Sequence, residues 1–181
     1  KDRLIDELKK ILYLKTLVNF LKDKFSLEII KVIFPQLKYF NFFTKLNSHA
    51  YNISKEVDFI FFISLLIIDE TDNADYFLYS FNVSKKNRER IKNIDYFYKD
   101  KITSKTFTEK NLNKIFYYKG RDTVLDILNF RIFRSKNLDN NLIELVKLYK
   151  NKVIPIMPVK ADILITKYKM SEGRTLGNKL R

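Results

Sequence analysis

The chain of 181 residues has no cysteine, one histidine, three prolines and three glycines. Without cysteine it has no disulfides, no zinc–thiolate sites and no thiol nucleophiles. That composition suits a reducing compartment, so a cytoplasmic location is expected. The single histidine, His49, lies among aromatic and apolar residues and reads as a partly buried or surface side chain, not a catalyst. A phosphate-cradling glycine loop is absent too, since Gly120 stands alone. The longest apolar run, Val57 to Ile68, is interrupted by Asp58 and Ser64 and is too short to span a bilayer. No membrane-spanning segment is therefore expected, and nucleic acid is preferred to a membrane as partner. The N-terminus reads as a charged helix from the start, with no signal-peptide pattern and no initiator methionine. Both ends read as cut, which makes the chain a fragment of something longer. There is no internal repeat, no low-complexity linker and no stretch of strict alternation long enough for a strand. The expectation is an all-α protein.

Hydrophobic residues make up 46% of the chain and aromatics 15%, enough to bury a sizeable core and to exclude disorder. Lys and Arg total 35 against 21 acids, a formal charge of +14. An excess of this size favours a polyanionic partner, nucleic acid first and an anionic membrane surface second. Part of it is open to a compositional reading, because Lys, Asn, Ile, Phe and Tyr dominate and the lysines are scattered.

Helical periodicity runs almost throughout. Leu4, Leu8, Ile11 and Leu12 form the first apolar stripe, with Arg3 and Glu7 one turn apart and able to pair. A second helix is expected over 14–24, and Ser26 is placed as the N-cap of a third over 27–34, which Pro35 ends. Leu37, Phe40, Phe43 and Leu46 continue as an apolar connection. Ser54 is expected to cap a buried helix over 55–69, and Asp72 or Asn73 a short one through Phe81. Ser84 caps a helix over 85–98 with Lys85, Lys86, Arg88 and Arg90 on its outer face. Thr106 or Thr108 opens the next, which Gly120 stops. Two more follow over 121–134 and 140–152, and Pro155 and Pro158 bracket an extended piece.

Asp69, Glu70, Asp72 and Asp75 form an acidic cluster suited in principle to Mg²⁺ or Ca²⁺. The cluster lacks the central glycine and terminal glutamate of an EF-hand, and reads as a solvated loop of capping acids. The basic and aromatic residues are the stronger signal. Lys85, Lys86, Arg88, Arg90 and Lys92 crowd one helix start, as a solvated face or an RNA surface, and Tyr117, Tyr118, Lys119 and Arg121 mix stacking groups with charge, a combination that RNA binding uses. For Tyr117 and Tyr118 the core reading is preferred. The closing segment holds two of the three glycines, Gly173 and Gly177, at a predicted helix start among Lys167, Lys169, Arg174, Lys179 and Arg181. It is able to offer backbone amides and charge to a phosphate, or to pack a helix tightly.

Several of these segments, in order, resemble the C-terminal half of class II tRNA nucleotidyltransferases, the CCA-adding enzymes, and of the related bacterial poly(A) polymerases. Arg3-Leu-Ile-Asp-Glu7-Leu-Lys-Lys-Ile-Leu12 is similar to the family's neck entry. Phe34-Pro35-Gln36-Leu37 is similar to its Pro-Glu-Leu, with Gln36 in place of the acid. Asp58 to Leu66 stands where the family has a Leu-Ala-x-Leu-Leu helix. Phe81 to Ile91 resembles its Leu-Ser-Asn-x-Glu-x-x-x-Ile segment, and Tyr117-Tyr-Lys-Gly120-Arg121-Asp122 its Tyr-x-x-Gly-Arg-Glu helix. Pro158, Asp162, Leu164, Gly173, Leu176 and Gly177 fall on its Pro…Gly-x-Asp-Leu…Gly-x-x-Leu-Gly pattern, with Ala161 for the first glycine and a small insertion before Gly173.

The resemblance implies a multi-helix array of neck (1–50), body (51–135) and tail (136–181), with the catalytic α/β head absent. It implies tRNA as partner, gripped by acceptor stem and TΨC arm, with the head of the same polypeptide as a second partner. Arg121, Lys160, Lys167, Lys169, Arg174 and Lys179 are the expected RNA contacts, with Gly173 and Gly177 giving close backbone approach and Arg3–Glu7 a neck ion pair. No catalytic or metal-binding residue is assigned to this half. Mg²⁺ with CTP and ATP is implied only for the whole enzyme. CCA addition and poly(A) addition share this half, so the resemblance does not choose between them. A helical protein-interaction module is the other class left open. A His-Asp phosphohydrolase is excluded, because His49 is followed by Ala50.

Overall fold

The computed structural model describes residues 2–13, 17–40, 43, 46, 48–99, 107–135, 139–153 and 161–180. Among these it contains twelve α-helices and no strand. None of the described helices is long and apolar enough to cross a membrane. The expected extended piece around Pro155 and Pro158 lies outside the described residues, as does Thr106.

Helix α1 (Asp2–Leu12) buries Leu8 and Leu12 of its stripe and leaves Leu4 outside. Helix α2 (Leu17–Lys22) is shorter than the periodicity suggests. Helix α3 (Lys24–Ile33) starts three residues before the expected position. Its cap is Asp23, whose carboxylate accepts from the Ser26 backbone N–H at 2.9 Å and the Ser26 hydroxyl at 2.5 Å. A carboxylate takes both bonds at once, so Ser26 becomes donor instead of cap. Phe34, Leu37, Phe40 and Phe43 then run buried beneath the connection.

The next cap is corrected in the same way. Ser54 ends helix α4 (Ser48–Ser54), donating to the Tyr51 carbonyl at 2.7 Å. The buried helix α5 (Phe59–Ile67) begins four residues later than expected, capped by Asp58, which accepts from Phe61 N–H at 3.0 Å. Every residue of α5 except Ile60 is buried, and α1, α6, α7 and α9 pack around it. A helix apolar on all sides belongs in the middle of a core.

Helix α6 (Asn73–Ser80) follows Asp72, which makes no capping bond. Thr71 accepts from Asn73 N–H instead, and Asn73 donates from its buried amide to the carbonyls of Ile67 and Gln36 at 2.7 and 2.8 Å. Helix α7 (Lys85–Lys99) starts after Ser84, whose hydroxyl accepts from Asn87 N–H at 3.4 Å. Helix α8 (Glu109–Lys119) is capped by Thr108 and stopped by Gly120 at φ +86°. Only glycine holds that backbone comfortably, and it lets α9 (Arg121–Arg134) begin one residue later. Helix α10 (Asn140–Asn151) is capped by Asp139. Helices α11 (Ala161–Tyr168) and α12 (Arg174–Lys179) close the chain.

Two hydrophobic clusters result. The larger gathers α1–α7 about α5 and includes Phe130 and Phe133 from α9. The smaller joins α8, α9 and α10 through Leu112, Phe116, Val124, Leu128 and Tyr149. Helix α9 serves both, which is why it shows little one-sided periodicity. The first cluster continues across residue 50 and the second across residue 135, so packing links the expected segments on either side of both boundaries.

Candidate nucleic-acid interface

The expected RNA contacts divide between two parts of the chain. Arg121 is exposed as the first residue of α9, but its guanidinium donates to the Lys152 carbonyl at 2.8 Å, closing the end of α10. Lys160 lies outside the described residues. Lys167, Lys169, Arg174 and Lys179 are all exposed, and none makes an ion pair among the described residues. Lys167 carries its ammonium 6.0 Å above the Tyr168 ring. Lys169 adopts φ +50° and breaks the chain between α11 and α12.

Gly173 sits at φ +144°, ψ −165°, a region essentially confined to glycine, and opens α12. A Cβ placed on either Gly173 or Gly177 meets nothing within 4 Å. Tight helix packing therefore does not explain this pair. The helix that follows has only six residues, so its amides form no built anion site. Near the other end, Arg3 is not the direct partner of Glu7. The Glu7 carboxylate accepts from Lys10 at 2.8 Å, and that bond lowers its pKa, with Arg3 adding a weaker through-space pull.

Two readings of the basic surface change. Arg90 does not belong to the outer face of α7. Its Nε and Nη2 donate to the buried Asp126 carboxylate, the second at 2.7 Å, and its Nη1 pairs with Asp58. Burial works against its charge, and the two carboxylates more than offset that, so it stays protonated. Asp58 thereby links the cap of α5 to α7 and α9. Lys85, Lys86 and Arg88 remain as the cations at the start of α7.

Tyr117 and Tyr118, expected in the core, are exposed, at 42% and 62%, and meet each other edge to face at 5.2 Å. The core face of α8 is supplied by Leu112 and Phe116, four apart, which turns the following two tyrosines outward. Tyr96 on α7 is 66% exposed and was not singled out from the sequence. Ile91, Ile94 and Asp95 are buried on that helix, and Tyr98 packs edge-on to Phe130 at 5.4 Å. The same spacing puts Tyr96 on the opposite side, so the signal was present.

Three carboxylates of the acidic cluster are engaged by lysines. Asp69 pairs with Lys38 at 2.6 Å, Asp72 with Lys99 and Asp75 with Lys92, both at 3.5 Å. No group of three or more His, Cys, Asp or Glu side chains suited to a metal occurs among the described residues. Elsewhere, Phe25, Ile29, Val32 and Ile33 leave an uncovered apolar stripe on α3. Comparison with family models, curated proteins and solved structures yields no match for this chain.

Proposed function

We propose that this chain is the tRNA-binding C-terminal half of a tRNA nucleotidyltransferase that adds CCA to tRNA 3′ ends. The observation that carries the reading is the tail, where four exposed cations without ion partners among the described residues accompany two glycines whose Cα faces are open. Together with the ordered family-like segments and the all-helical architecture, it supports a surface that grips RNA by charge and close backbone approach. An RNA helix is held through phosphates and 2′-hydroxyls, not base edges. Lys167, Lys169, Arg174 and Lys179 supply the charge, and Gly173 and Gly177 allow the approach. The chemistry belongs to a head of the same polypeptide, where Mg²⁺, CTP and ATP are used. Asp69, Asp72 and Asp75 are engaged by lysines.

The test is equilibrium binding of the chain to a tRNA across a salt series. Affinity falls steeply as salt rises, because neutralised phosphates release counterions. Affinity independent of salt removes the electrostatic grip, and no binding at all returns the protein to the class of helical interaction modules.

A further inference from the structure

A groove of about 970 Å³ separates α7 from α8. Its walls carry Tyr96 and Tyr118, both more than 60% exposed, and four lysines, Lys92, Lys99, Lys114 and Lys119. Lys92 and Lys99 are paired with carboxylates, whereas Lys114 and Lys119 have no ion partner among the described residues. Asp95 also lines the groove and is only 7% exposed. One of its oxygens takes Lys99 at 2.9 Å, and the other, Oδ1, is enclosed away from the groove surface with no hydrogen-bond partner among the described residues. Among the described residues Asp75 is the only other acid on the walls, against four lysines.

Aromatic faces beside ammonium groups that have no ion partner among the described residues define one ligand chemistry. A nucleobase stacks on an exposed ring whatever its identity. Its phosphate meets the lysines. A duplex does not fit such a site, because its bases are already stacked and paired. We propose that the groove between α7 and α8 binds an unpaired nucleotide of an RNA chain, with the base at Tyr96 and Tyr118 and the phosphates at Lys114 and Lys119. This inference deepens the RNA-binding reading and rests on it, but uses a different surface from the tail.

Fluorescence anisotropy with a labelled single-stranded RNA hexamer tests it, with a blunt RNA hairpin and free AMP as competitors. Tyr96→Ala with Tyr118→Ala weakens hexamer binding about tenfold or more, in line with measured stacking on aromatic side chains. Lys114→Glu with Lys119→Glu weakens it as well. Both pairs are exposed, so helical content by circular dichroism stays unchanged. Lys167→Glu with Lys169→Glu weakens the hairpin and spares the hexamer. Displacement of the hexamer by AMP at equal concentration would reassign the groove to a free nucleotide and overturn the RNA assignment. A hexamer that binds the groove variants as tightly as the parent also overturns the proposal. If the hexamer binds and tRNA does not, the tail reading fails while the groove stands.

Discussion

Arg90 shows how far a single charge changes meaning once its surroundings are known. Along the sequence it sits among Lys85, Lys86, Arg88 and Lys92 as one more cation. In the fold it holds Asp126 and Asp58 together across three helices. Arg90→Met leaves Asp126 buried without its partner and costs about 3–5 kcal/mol, the range for breaking a buried pair. Urea unfolding at neutral pH measures it, and adding Asp126→Leu recovers part of the loss. Tyr149 gives a pH signature of its own. Its hydroxyl donates to Asn113 at 2.8 Å, and burial, reinforced by the Glu109 charge, pushes its pKa up to about 12. The unfolded chain releases that proton at the ordinary value near 10. Stability linked to Tyr149 is thus complete below pH 10 and is lost as pH rises toward about 12. Comparing urea midpoints of the parent and Tyr149→Phe through that window isolates it: the parent declines more steeply. Side-chain roles of this kind depend on partners more than thirty residues away, and no local pattern announces them.

The helices themselves were largely legible. Helices α7 to α10 begin and end close to where periodicity, Thr108 and Gly120 place them. Caps were misread where a carboxylate competed with a nearby hydroxyl, at Asp23 against Ser26 and at Asp58 against Ser54. Both are short oxygen acceptors, and only the path of the chain decides which one faces the free amides. Tyr117 and Tyr118 illustrate the opposite case, since the apolar spacing of α8 already marked its inner face. At this scale the tail glycines separate cleanly. Gly173→Ala forces a side chain into a glycine-only backbone region and destabilises the tail by about 1–3 kcal/mol. Gly177→Ala enters a helix with open space around it and stabilises it by up to about 1 kcal/mol. Thermal melts check both. A loss of tRNA affinity in the stable Gly177→Ala variant marks backbone approach to RNA, and unchanged affinity removes Gly177 from the interface.

The net charge of +14 is unevenly spent over the whole molecule. Lys38, Lys99, Lys150 and Lys152 are tied to carboxylates, and Arg134 donates to the carbonyls of Leu65 and Ile68 at the end of α5. The tail cations are not tied in this way. Lys167→Glu with Lys169→Glu therefore weakens tRNA binding about tenfold or more and flattens its salt dependence, since each lost phosphate contact lowers the slope by roughly one. Circular dichroism confirms that the helices persist, and unchanged binding moves the RNA surface elsewhere. What the sequence determined alone is the class of fold: apolar spacing near 3.6 residues, the absence of alternation and the glycine stop fix helices wherever they are packed. It also raised the expectation of a polyanionic partner, from a large positive excess that is in part open to a compositional reading. The tertiary structure decided which cations remain free for that task, because ion pairing is a matter of distance between elements remote in sequence. It likewise decided that α5 and α9 carry the cores, because a helix apolar on every side states that it is buried without saying against what.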